Sequence, residues 1–282
     1  MKTYIFKNFN NIYYNFLFII ISIFFLTKLS FSYHEILGDK WAYSNLLINY
    51  SAGFVRRGLF GELFIHINDF FDISPLYFFT TIFFIAYFLQ IYFFYRILEK
   101  YKNYKLFFTF IILSPVLLLF SIYDLNTFLS KDVFINLSIL FHAYIVNKKV
   151  NTKNYNRILY FMLFPILTLN MMNHENQVFF IPFHILITLY FFSNSKKEKY
   201  NLKYIKPYIA LLVPILILLG ISGSWEKLYI INDSIKEFGA IIPNQFAGNF
   251  NLAIGGFVKW HFFYHDVYDF LRLFLCFTLS IF

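Results

Sequence analysis

Apolar residues in this chain run in long blocks rather than alternating with polar ones, and the charged residues gather in short clusters between the blocks. A helix needs roughly 17 to 25 apolar residues to cross a bilayer, and blocks near that length predict membrane helices. A transmembrane β-barrel would instead show strands of about 10 residues with polar groups at every second position. The predicted spans cover residues 12–31, 75–95, 106–123, 127–146, 158–172, 177–192, 207–221 and 267–282. Two longer polar stretches, 32–74 and 222–266, interrupt the series. The last block ends the chain inside hydrophobic sequence, as a truncated product or a minimal member of a longer family would. The expectation is an all-α, polytopic transmembrane protein with about eight spans, forming a single integral membrane domain over 1–282.

Charge then sets the orientation. With the N-terminus in the cytoplasm, the cytoplasmic segments hold fifteen cations against two acids, Glu99 and Glu198, while the opposite side holds eight cations and the other thirteen acids. This is the positive-inside pattern, so the net charge of +9 reads as a topology signal rather than a nucleic-acid footprint. The composition agrees: 59% hydrophobic and 14% charged residues depart from the roughly 45–50% and 25% of soluble domains. The block 12–31 is longer than a signal-peptide core and precedes no small-residue cleavage site, so it reads as a permanent span. A single cysteine, Cys276, excludes a disulfide framework and a cysteine-based metal site.

The candidate chemistry lies on the outer side. Arg56 and Arg57 stand against the positive-inside bias, flanked by Gly53, Gly58 and Gly61. Guanidinium forks suit phosphate oxygens, and glycines let backbone approach an anion closely. Pairing with Glu62 or with lipid head groups is the blander reading. In the same stretch Glu35 and Asp39 could hold a divalent ion against a phosphate or deprotonate a hydroxyl, with Trp41 beside them. Lys131 and Asp132 open an apolar span, where ionisable groups line a cavity or sit at the interface as a snorkelling lysine and a helix-terminal charge. The turn from Asn173 to Asn176 carries His174 and Glu175, a pair suited to acid–base work that could equally be a bare hairpin. It lacks the HExxH spacing of a zinc protease. Trp225 and Glu226 open the second outer stretch, which interleaves small and aromatic residues suited to gripping a flexible ligand. His261, His265 and Asp266 lack a further ligand and read as interfacial packing. Phosphate-loop, dinucleotide-turn and nucleophile-elbow motifs are absent, which argues against nucleotide chemistry.

Three of these elements carry a resemblance: GFVRRGLFG from Gly53 to Gly61, SKD from Ser130 to Asp132, and NHE from Asn173 to Glu175. Through them residues 1–190 resemble O-antigen and capsular polysaccharide polymerases of the Wzy kind and the related GT-C-type membrane glycosyltransferases. Members of that group usually have more spans and a large periplasmic loop. The resemblance implies a bacterial inner-membrane enzyme that joins undecaprenyl-pyrophosphate-linked oligosaccharides on the periplasmic face. Arg56 and Arg57 would then stabilise the leaving pyrophosphate. Asp39 or the His174–Glu175 pair would orient or deprotonate the acceptor hydroxyl. Lys131, Asp132, Glu35, Trp41, Trp225 and Glu226 would contact substrate.

The lipid-linked donor is already activated, so no cofactor or metal is implied. The implied partners are the lipid-linked glycan, membrane lipid and other polysaccharide-assembly proteins, and no nucleic acid. One alternative is a GT-C transferase adding one sugar from a polyprenyl-phosphate donor, with a divalent metal on Glu35 and Asp39. A second is a lipid-linked-glycan flippase, which calls for charged groups deep in several spans, where only His142, His184 and Arg272 lie. A structural subunit of a glycan-synthesis complex is the third.

Overall fold

The computed structural model describes residues 40–55, 57–99, 129–174, 177–196, 204–211, 213 and 225–242, with a few single positions between 16 and 27. The described residues are helical, without a strand. The first outer stretch contains α1 (Lys40–Leu46) and α2 (Leu59–Phe71), and α3 (Pro75–Leu98) follows directly. Ser74 and Pro75 mark the start of α3, where proline's missing N–H is no loss and its fixed φ suits the first helical turn. Helix α4 spans Asp132–Asn147. Asn151 caps α5 (Thr152–Ile158) by accepting from the Asn154 N–H at 2.8 Å. A single π turn, Leu159–Leu163, carries α5 without a break into α6 (Phe164–Asn173). Helix α7 (Gln177–Lys196) returns across the turn, α8 is the short Lys206–Ile209, and α9 (Trp225–Ile235) ends in the 3-10 turn Lys236–Phe238.

Ring contacts and side-chain hydrogen bonds give the relative directions of the helices. Phe83 of α3 meets Phe134 at the start of α4, and Phe93 meets Phe141 and Tyr144 near its end, so α3 and α4 run parallel. Gln90, buried in α3, donates to the Val133 carbonyl at 2.6 Å. Asn170 of α6 donates to the Phe134 carbonyl at 3.0 Å and to Gln177 Oε1 at 3.1 Å, bringing the last turn of α6 and the first of α7 to the start of α4. Farther along, Ser138 and His142 of α4 meet His184 of α7. Thus α7 runs with α4, and α6 runs against both.

Apolar burial forms two clusters. One joins the 46–55 segment, α2, α3, the start of α4 and α9; the other joins the end of α4, α5, α6, α7 and α8.

The expected count of about eight spans is not carried by these helices. Among the described residues one helix, Pro75–Leu98, is long and apolar enough to cross a membrane alone, while Asp132–Asn147 and Gln177–Ser193 are apolar but shorter. The reason for the shortness of α4 is visible in its ends: Lys131 and Lys148 flank it, and the helix covers 16 residues between them. The predicted spans 12–31, 106–123, 207–221 and 267–282 lie wholly or largely outside the described residues.

Candidate active site

The Arg57 turn, the Lys131–Asp132 helix start and the His174 hairpin, far apart in sequence, meet at one end of the helices. Lys131 is the first link. Its side chain is buried, at 1% exposure, and its ammonium donates to the Arg57 carbonyl at 2.7 Å. A snorkelling lysine would keep its head group in solvent, so that reading is corrected: this cation is held inside the protein against a backbone oxygen. Arg57 is half-buried and adopts φ 66°, a left-handed conformation rare for a residue with a Cβ.

Asp132 is the second link. It occupies the first turn of α4, where the helix dipole favours a carboxylate, and its Oδ2 accepts from the Ser130 hydroxyl at 2.7 Å. Its other oxygen lies 3.8 Å from His174 Nε2. The His174 side chain is 10% exposed and that of Asp132 47%, so the dyad has one buried and one wet member. His174 ends α6 in an extended conformation, its N–H donating to the Asn170 carbonyl at 2.7 Å and its carbonyl accepting from Gln177 N–H at 3.2 Å. The hairpin backbone therefore fixes where the imidazole stands. Within one turn of it, Asn173 Oδ1 and Gln177 Nε2 are buried with no hydrogen-bond partner among the described residues.

The glycines of the first stretch do different work from the anion approach expected of them. A Cβ on Gly61 would run into the backbone carbonyls of Leu47 and Ile48, and one on Gly58 into the Tyr50 ring. Both allow α2 to sit directly on the 47–50 segment. Gly53 has φ +81° in open space and serves a turn.

Of the other expected site residues, Glu35, Asp39, Arg56 and Glu175 lie outside the described residues, and Trp41 is within α1. Trp225 and Glu226 open α9, with Glu226 exposed. This helix is tied to the first stretch through its other end. Ser44 Oγ donates to the Ile241 carbonyl at 2.9 Å and accepts from Ile241 N–H at 3.1 Å, while Asn49 Nδ2 donates to Ser234 Oγ at 2.9 Å. The two outer stretches thus form one layer.

Sequence reasoning missed a buried polar chain in the other cluster. His142 Nδ1 and His184 Nδ1 lie 3.1 Å apart, with ring centroids 5.3 Å apart and planes 13° from parallel. Centroids that far apart with nitrogens that close describe rings meeting edge to edge, the geometry of an N–H···N bond. Ser138 Oγ donates to the Ile135 carbonyl at 2.7 Å and lies 3.3 Å from His184 Nε2. His142 Nε2 in turn lies 2.8 Å from the Tyr155 hydroxyl. Thr188 joins Tyr155 at 2.9 Å to Tyr208 at 2.7 Å, and Tyr208 also donates to the His184 carbonyl at 3.0 Å. Both ends of the chain close on backbone carbonyls, so with both rings neutral the six protons of Ser138, His142, Tyr155, His184, Thr188 and Tyr208 serve seven contacts and one contact carries none. The sequence signal was present: Ser138 and His142, and likewise His184 and Thr188, are spaced four apart, placing two polar stripes on facing helices.

In comparisons with known proteins, no family model matches the chain, and no curated protein or solved structure is similar to it.

Proposed function

We propose that this chain is an integral protein of a bacterial inner membrane, with about eight spans and a cytoplasmic N-terminus, that polymerises undecaprenyl-pyrophosphate-linked oligosaccharide units of a surface polysaccharide. One observation carries the reading: Arg57, Lys131, Asp132 and His174, drawn from the three motifs of the resemblance, meet at one end of the helices. That end is the outward one in the positive-inside orientation, and the parallel α3, α4 and α7 with antiparallel α6 support the same arrangement.

In this reading a sugar hydroxyl of one unit attacks the anomeric carbon of another. The new glycosidic C–O bond forms as the anomeric carbon–phosphate oxygen bond breaks, and lipid pyrophosphate departs with the bonding electrons. His174 takes the hydroxyl proton, and Asp132, 3.8 Å from its Nε2, stabilises the imidazolium that results. Arg57, with Arg56 beside it in sequence, stabilises charge growing on the pyrophosphate, and Lys131 holds the turn that presents them. Asp132 thereby becomes a carboxylate partner of His174 across the helices. The flippase alternative gains no support from the His142–His184 chain, because a chain closed at both ends on backbone carbonyls offers a proton or cargo no exit.

Reconstitution tests the proposal. Purified protein in proteoliposomes, given an undecaprenyl-pyrophosphate-linked repeat unit, is expected to release undecaprenyl pyrophosphate and lengthen the glycan without added metal. His174→Ala is expected to lower the rate by roughly 10²–10⁴-fold, the range for a general base. Dependence on a divalent ion and a polyprenyl monophosphate donor would establish the single-sugar transferase instead.

A further inference from the structure

A cavity of about 420 Å³ opens between the first outer stretch and α9, lined among others by Asn49, Ser51, Glu62, Asp233, Ser234 and Glu237. Its size falls within the roughly 300–1,000 Å³ of small-molecule sites. Part of its wall is set in advance. Asn49 is fully buried, donating to Ser234 Oγ and accepting from the Ser51 N–H at 2.9 Å. Glu62 is held by the Tyr50 N–H at 2.8 Å and by His66 at 3.2 Å. Tyr50 adds an aromatic edge: its ring stacks on the part-exposed Phe54 at 5.0 Å, and its hydroxyl is buried with no partner among the described residues. Burial and the nearby Glu62 push that phenol up to about 12, so it stays a protonated donor.

Acceptor oxygens on several walls, amide and hydroxyl groups between them and an aromatic edge suit a polyol. Three carboxylates exclude phosphates and sugar acids by like-charge repulsion. Among the described residues, no cluster of three or more His, Cys, Asp or Glu groups is arranged to hold a metal ion.

We infer that this cleft binds a neutral or amino saccharide. Resting on the polymerase reading, the ligand is the acceptor sugar. Glu62 follows the Arg57–Gly58 turn within one helical turn, and Gly58 packs beneath the Tyr50 ring, so a sugar in the cleft lies beside the arginine turn, with the pyrophosphate on its cationic side.

The test is saturation-transfer NMR on the full chain in lipid nanodiscs with four probes: glucose, N-acetylglucosamine, glucosamine and glucuronic acid. The first three are expected to take up saturation, and glucuronic acid at least about fivefold less, since a like-charge contact costs its binding. Asp233 and Glu237 are exposed, so Asp233→Asn with Glu237→Gln keeps shape and fold while removing that discrimination. Equal saturation of glucuronic acid in the unaltered protein, discrimination that survives the double substitution, or no saccharide saturation at all would each overturn the inference. Binding needs no turnover, so failure here is distinct from failure of the polymerase reading, which shows as an absence of chain extension in the reconstituted system.

Discussion

Arg57 combines two roles that a pair of substitutions separates. Its left-handed φ of 66° carries a penalty of about 1–2 kcal/mol for a residue with a Cβ, which glycine does not pay. Arg57→Gly is therefore expected to raise thermal stability, or leave it unchanged, while abolishing glycan extension. Arg57→Ala is expected to lose extension without the gain in stability. Extension that survives in Arg57→Gly would remove the guanidinium from the mechanism. Lys131 holds the same turn from below, and Lys131→Met leaves the Arg57 carbonyl without the donor seen at 2.7 Å. A loss of about 1–3 kcal/mol is expected, the usual cost of an unmet buried acceptor, measured by thermal or urea unfolding in detergent. Arg56 and Arg57 were recognisable in the sequence because they oppose the topological charge bias. The carboxylate facing His174 was not, since Asp132 reaches it only through helix packing, whereas Glu175 adjoins it in sequence.

At the scale of elements, the α2 start is the tightest fit in the outer layer. Gly61→Ala is expected to destabilise by roughly 1–3 kcal/mol, because the methyl group meets backbone carbonyls that cannot rotate away. Gly53→Ala, in open space, is expected to cost only the smaller penalty of its positive φ. The chain linking α4, α5, α7 and α8 gives a spectroscopic expectation: with a hydrogen bond between the two Nδ1 atoms, nitrogen-15 spectra should find one of His142 and His184 protonated on Nδ1 and the other on Nε2. The same tautomer at both rings would contradict that hydrogen bond. Helices α3, α4 and α7 were legible as apolar blocks with charged or polar ends. Block length was a poorer guide, because α4 stops short between Lys131 and Lys148, while α5 and α6 join through a π turn into a helix that begins before its apolar block. The contact between the first outer stretch and α9 was not legible, since hydrogen bonds such as Ser44 to Ile241 leave no periodic trace.

For the whole molecule, the account holds that the two outer stretches form one layer over an outward site. Cysteines placed at Ser51 and Ser234, whose hydroxyls lie 3.2 Å apart at the surface, are expected in a Cys276→Ser background to cross-link with a short thiol reagent that cannot pass the membrane. Cysteines at Lys100 and Lys148 are expected to resist the same reagent in intact cells. Reactivity at the second pair and not the first would invert the topology and remove the site from the outer face.

The central claim is tested most directly by the length distribution of surface glycan in a deletion strain, resolved on a gel. The strain is complemented by the unaltered chain and by Arg57→Ala, Asp132→Asn and His174→Ala, each matched for expression. The account predicts that the deletion collapses a ladder to a single repeat unit and that only the unaltered chain restores it. A ladder unchanged by the deletion would contradict the polysaccharide reading, and a ladder restored by all three variants would contradict the site.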